Sequence, residues 1–175
     1  MPMTAPSVRL CWRAWPATKA MSTARKWTPP DRIRAVAIAL ILNADRLLIF
    51  EGYDLTRQTP YYRPLGGEIE FGETGEQALR RELREEINQE ISNIAYLATV
   101  ENLYTLDGVP GHELMRIYSA RLVDEAAYRR SWVIEEPGQL PQQAYWKPLN
   151  ELKMTPELLR PLGVWELLGQ DTLAL

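Results

Sequence analysis

Three glutamates, Glu82, Glu85 and Glu86, stand three and four residues apart in a segment where Leu79, Leu83 and Ile87 recur at helical spacing. At about 100° per residue the apolar side chains form one stripe and the carboxylates the neighbouring one. Like charges at these spacings repel by roughly 0.2–0.5 kcal/mol per close pair even in water, and Arg81 and Arg84 offset only part of that. A helix that needed only solubility would alternate its signs. Three clustered carboxylates suit a hard divalent cation, which takes oxygen ligands; Mg²⁺ also keeps waters and takes substrate phosphates. The competing reading is a solvated acidic face, the commoner meaning of a Glu-rich helix. Just upstream, Gly66-Gly67 lets backbone amides and carbonyls approach a ligand closely. Glu68, Glu70, Glu73 and Glu76 add acid nearby. A cation there would neutralise the cluster and bridge it to a polyanion.

The rest of the composition narrows the chemistry. There is one cysteine, Cys11, and one histidine, His112. No intramolecular disulfide, Cys/His zinc site or multi-histidine centre can form, so proton transfer rests on carboxylates. With 175 residues, 46% of them hydrophobic, the chain has the size of one ordinary domain and buries a core without staples. Its net charge of −3 argues against nucleic acid as a partner. No apolar run approaches the ~18 residues of a membrane helix, and no secretory signal is visible; no membrane partner is expected, and the expected location is the cytoplasm. Residues 1–30 hold Arg9, Arg13, Lys19, Arg25 and Lys26, no acid, and five prolines. They read as a basic, proline-rich tail outside the fold, with 31–175 a single domain.

The elements that must position the glutamates follow from pattern. Residues 33–42 and 46–50 are apolar, branched runs joined by Asn43-Ala44-Asp45, a hairpin. Residues 55–60 read as a polar loop, and 61–71 as a strand broken at Pro64 and Gly66-Gly67. The helix spans 75–88, with Thr74 as N-cap and Asn88 as its stop. Residues 94–106 and 113–123 are long strands joined by a loop over 107–111. Residues 124–141 form a polar, functional loop, 144–147 a short strand, and 156–168 a final helix with Pro161 near its start. Strands, helix, strands, helix is an α+β order.

In these residues the chain resembles the Nudix family, whose box reads G-x5-E-x7-R-E-U-x-E-E-x-G-U, with U apolar. Gly67 is followed after five residues by Glu73; after seven more come Arg81-Glu82, then Leu83, Arg84 and Glu85-Glu86. Every charged position matches. Asn88 and Gln89 depart from the family's Gly and apolar residue. Asn tolerates the left-handed conformation that ends a helix, so the turn is expected to survive, with Ile91 supplying the apolar contact. Tyr61 to Gly67, Gly111-His112-Glu113 and Trp146 to Leu149 are similar to flanking family patterns, which extends the resemblance over 33–168.

The resemblance implies an α/β/α sandwich around a mixed β-sheet, with the box loop-helix and a C-terminal helix. It implies hydrolysis, dependent on Mg²⁺ with Mn²⁺ as a substitute, of the pyrophosphate linkage of a nucleoside diphosphate joined to another moiety. ADP-ribose, nucleoside triphosphates and dinucleoside polyphosphates all fit that description. The Gly66 carbonyl and Glu82, Glu85 and Glu86 would hold metal, with Glu113 as a candidate extra ligand; Arg81 would orient a glutamate, and Glu73 would support the loop or contact metal through water. The general base would be Glu82, or Glu135 or Glu136 from the late loop. Arg63 would pair with phosphate, Tyr61 or Tyr62 stack on a base, and His112 stack on or hydrogen-bond the substrate. Family members that dimerise make a homodimer compatible with the resemblance. The alternative function is a nucleotide-binding or regulatory module without turnover, against which the intact Arg81-Glu82 and Glu85-Glu86 argue. An isoprenoid-diphosphate isomerase would want a cysteine in the cleft, and Cys11 lies in the tail.

Overall fold

A computed structural model describes residues 27–135 and 141–169. Most of the basic tail, with Cys11, and the expected base Glu136 lie outside the described residues. Two sheets carry the fold. One has the order β5 (Gly66–Glu68), β1 (Ile33–Leu40), β7 (Val109–Leu122), β6 (Ile91–Leu106). In it β1 runs parallel to β7, and the other pairs are antiparallel. The second contains β2 (Leu42–Asn43), β3 (Arg46–Asp54), β9 (Gln142–Pro148) and β8 (Trp132–Ile134), with β4 (Thr59–Pro64) paired to β3. The first sheet is mixed and the second antiparallel, and helices pack on both sides of β1, the α+β arrangement the resemblance implies. No described helix is long and apolar enough to cross a membrane.

The alternation of β1 divides the interior into two cores. Val36, Ile38 and Leu40 point to one face; Ala37 and Ala39 point to the other. Small alanines on the second face leave room for α1 (Gly75–Ile87), whose Ala78, Leu79, Leu83 and Ile87 are buried against them. Leu79 and Leu83 are fully buried, each contributing about 2 kcal/mol of apolar transfer. That seam holds the glutamate stripe at one fixed orientation.

Both ends of α1 are locally determined. Thr74 accepts a hydrogen bond from the Gln77 amide while the Gln77 side chain accepts from the Thr74 amide, a reciprocal capping box. Asn88 closes the helix in the left-handed region at φ 53°, its N–H donating to Arg84 and Leu83 carbonyls. Asn therefore serves where the family has glycine, and Ile91 is buried in the same core as Ile87.

Several boundaries differ from those expected. The hairpin between β6 and β7 turns on Asp107-Gly108 alone, both at positive φ, so the strands are longer than their apolar patterns. The late loop contains a 3₁₀ turn over Glu125–Arg129 and the short strand β8. The final helix is the main correction. Residues 149–168 form α2 (Leu149–Met154), a 3₁₀ turn over Pro156–Leu158, and the five-residue α3 (Val164–Leu168). Pro161 has no N–H to donate and restricts Arg160 before it, so one helix cannot run through. Leu152, Leu159 and Val164 join the core beside Ile38 and Ile117, with Leu158, Trp165 and Leu168 packed against it, whereas Leu162, expected on the core face of that helix, is exposed.

Candidate active site

Arg81 organises the acidic cluster. Its Nε and Nη2 donate to the two oxygens of Glu73 at 2.9 and 3.0 Å, a bidentate pair, and Nη2 also reaches the Glu68 carbonyl at 2.9 Å. Its Nη1 donates to Glu82 at 2.8 Å and to Glu85 at 3.1 Å. Glu86 accepts from the Gly66 amide at 3.2 Å. One guanidinium thus ties the loop before the helix to two helical carboxylates, and a backbone amide holds the third.

The Arg81 hydrogen bond is the main reason the Glu73 carboxyl is held below the usual carboxylate range; slight burial opposes it, and the Glu70 amide and the Arg81 charge assist. The same pairing raises Arg81 above its ordinary value, against burial, with Glu82 adding to the effect. A depressed carboxyl contributes its share of the loop–helix tie above the ordinary carboxylate range and loses it as pH falls through the lowered value. An NMR titration of metal-free protein is expected to place the Glu73 midpoint below that of an ordinary glutamate. In Arg81→Gln the midpoint should return to the ordinary range; an unmoved midpoint would remove Arg81 as the cause.

The donor set fits a hard divalent cation. Carboxylates and glycine backbone supply oxygen only. A Cβ on Gly67 would lie 2.3 Å from the Glu82 carboxyl carbon, so the missing side chain is what lets backbone and carboxylate share this space. A cation already occupies part of the arrangement, since Arg81 Nη1 sits within hydrogen-bond reach of both Glu82 and Glu85. As they stand, the carboxylates are turned toward these partners. Among the described residues no three Asp, Glu, His or Cys side chains surround a common point. Arg81 Nη1 bonds one oxygen of Glu82 and one of Glu85, so the guanidinium can hold both carboxylates while their other oxygens turn to an ion.

A cleft of about 710 Å³ opens over this cluster, within the usual size of a small-molecule site. Gly66, Gly67, Glu82, Glu85 and Glu86 line it, as do Arg34, Tyr61, Arg63 and, from the segment after β8, Glu135. Of the late-loop glutamates expected to serve as base, Glu135 is thus placed in the cleft.

Three expected residues are not brought to it. Tyr62 is buried in the core with Leu159, and Lys147 sits over its ring at 4.3 Å. Strand alternation puts Tyr61 and Arg63 on one face of β4 and Tyr62 on the other, so Tyr61 takes the stacking position. Glu113 has 2% of its side chain exposed and is bound by Arg34 at 2.9 Å, Asn102 at 3.1 Å and Tyr104 at 3.5 Å. It lies on β7 opposite Arg34 and lines a separate small cavity, away from the metal-type carboxylates. His112 points to the other face of β7, paired with Glu101 at 2.8 Å, and lines neither cavity.

Arg34 is a residue that pattern reading passed over. It bridges Glu113 and Glu68, at 2.9 and 3.0 Å, and stacks over Trp27. The signal was a lone cation within an apolar strand, which burial forces to find partners. Arg160 and Asp54 carried no such signal.

Comparison with known proteins bears on the whole arrangement. A family model described as the NUDIX domain matches residues 31–166. The fold is similar to a NUDIX hydrolase from Nitrosomonas europaea, with a TM-score of 0.52 and 20% identity over 77% of this chain and 85% of that one. It is similar to a MutT protein from Bacillus halodurans, with a TM-score of 0.53 and 17% identity over 79% and 84% of the two chains. A MutT NUDIX hydrolase from Burkholderia pseudomallei matches at a TM-score of 0.51 and 20% identity over 69% and 86%.

Proposed function

The chain belongs to the Nudix family, and from that premise we propose that it hydrolyses the pyrophosphate linkage of a nucleoside diphosphate joined to another moiety. The observation that carries this reading is the meeting of three helical carboxylates, a glycine backbone and two arginines in one cleft. Glu82, Glu85, Glu86 and the Gly66 carbonyl would hold Mg²⁺ or Mn²⁺. Bound there, the ion would supply charge neutralisation at the diphosphate and lower the pKa of water.

The protein's own groups do the rest. Arg81 fixes the orientation of Glu82 and Glu85 and keeps the loop at Glu73 locked to the helix. Arg63 and Arg34 place positive charge where the substrate is most negative. Tyr61, half-buried in the cleft wall, offers an aromatic face to a base or sugar. Glu135 accepts the proton of the attacking water, whose oxygen bonds to one phosphorus as the bridging P–O bond breaks and its electron pair leaves with the departing phosphate.

The test is product release from a panel of nucleoside-diphosphate compounds. Turnover of at least one compound is expected with Mg²⁺, with loss on adding EDTA and recovery on adding excess Mg²⁺. Nucleotide binding without hydrolysis of any compound would replace this reading with a binding or regulatory module.

A further inference from the structure

Beside the cleft lies a second cavity of about 90 Å³, too small to be a ligand site alone. It shares Trp27, Tyr61, Arg63 and Leu106 with the cleft. Its other charged lining residues are Arg57, Arg160, Asp54 and Glu113.

The two acids are already engaged. Asp54 accepts from the Arg57 amide at 2.9 Å and faces the Arg57 guanidinium at 3.8 Å. Glu113 is held by Arg34, Asn102 and Tyr104 and lies 3.8 Å from Arg63 Nη1. The cations are less well served. Arg63 Nε and Nη2 and Arg160 Nη1 are buried without a hydrogen-bond partner among the described residues. A buried guanidinium N–H without an acceptor is costly, since the group has lost water and received nothing in return. Burial, with Arg57 nearby, also pulls the Arg160 pKa down, and the Glu157 carboxylate opposes this only in part. Arg63 and Arg160 therefore keep buried donors that no described acceptor takes up.

We propose that this cavity is a subsite for an oxyanion, a carboxylate or a phosphate monoester, carried by the substrate beyond the cleaved diphosphate and held by Arg63 and Arg160. The orphaned N–H groups are donors in the fork geometry that such an anion accepts. Continuity with the cleft through Tyr61 and Arg63 makes the anion part of the same ligand. The assignment to the substrate rests on the function proposed above; the anion pocket itself does not.

Two experiments test it on the full chain. In the first, EDTA-treated protein is titrated separately with inorganic phosphate and with acetate while Tm is followed, so that no metal can recruit the anion to the glutamates. One of the two should raise Tm in the wild type, and which one identifies the anion as phosphate or carboxylate. The rise should be absent in Arg160→Met. No rise with either anion, or an equal rise in the variant, overturns the subsite. In the second, wild-type kcat/KM is compared within matched pairs: a nucleoside-diphosphate sugar against its uronate, and ADP-ribose against its 2′-phosphate. The anionic member of one pair should be favoured by about tenfold or more, and Arg160→Met should abolish that preference. Hydrolysis without preference overturns the substrate assignment and leaves the proposed activity standing. Hydrolysis of nothing, with Arg160-dependent anion binding retained, overturns the activity and leaves the pocket standing.

Discussion

Glu85→Gln is expected to lower kcat/KM by about 100-fold or more while leaving Tm nearly unchanged. The contrast between the two readouts gives the substitution its value. Glu85 is exposed, with 60% of its side chain accessible, and its one described contact is the 3.1 Å bond from Arg81. An exposed ion pair of this kind contributes little to folding, and glutamine keeps the shape and an acceptor oxygen. If the glutamate stripe were only a solvated surface, the variant would be neutral in every assay. As a metal-type carboxylate in the cleft, Glu85 loses a formal charge that no neighbour can replace, since Glu82 and Glu86 have their own partners. Steady-state kinetics with Mg²⁺ beside thermal unfolding decide the matter; unaltered turnover would remove Glu85 from the site.

Gly66→Ala is expected to lower Tm by about 10 °C, from roughly 3 kcal/mol or more of lost stability. Gly66 sits at φ 127°, where an L side chain is strained, and a Cβ there would lie 2.2 Å from the Ala37 carbonyl oxygen. That oxygen belongs to β1, paired with β5 through Ile38 opposite Gly66 and with β7 on its other side. Neither backbone can yield without breaking a ladder. Gly67→Ala makes the informative comparison. Its new Cβ meets the end of the flexible Glu82 side chain, which can swing away. Gly67→Ala should therefore fold with Tm close to wild type and lose activity by displacing Glu82, while Gly66→Ala loses stability first. Thermal melts and kinetics on both variants check this, and equal Tm values for the two would contradict the assigned backbone contacts.

The segments read most accurately from the sequence are those whose interactions are local. Helix α1 ends where Thr74, Gln77 and Asn88 end it, because caps and turns bond to residues within five positions. The acidic stripe was legible for the same reason: spacing along one helix fixes relative direction. The Tyr61–Tyr62–Arg63 alternation was equally open to reading, and applying the two-residue period would have excluded Tyr62 from any site shared with Arg63. In the C-terminal region apolar spacing alone suggests a helix, whereas the backbone restriction at Pro161 outweighs it, and Leu159 and Val164 reach the core from shorter pieces.

The limits set by a single histidine and a single cysteine, the helix with its three carboxylates and the glycine pair before it are all legible along the chain, and the family resemblance follows from them. Tertiary structure alone decided where Glu113 goes, which of the tyrosines faces the cleft wall, and that Arg63 and Arg160 meet at one cavity. Arg34 and Glu113 are 79 residues apart, and the Arg160 amide donates to the Tyr62 carbonyl from another element altogether. Hydrogen bonds and caps between near neighbours are written into short stretches of chain. The burial of a charge depends on which distant strands enclose it, and no local pattern encodes that enclosure.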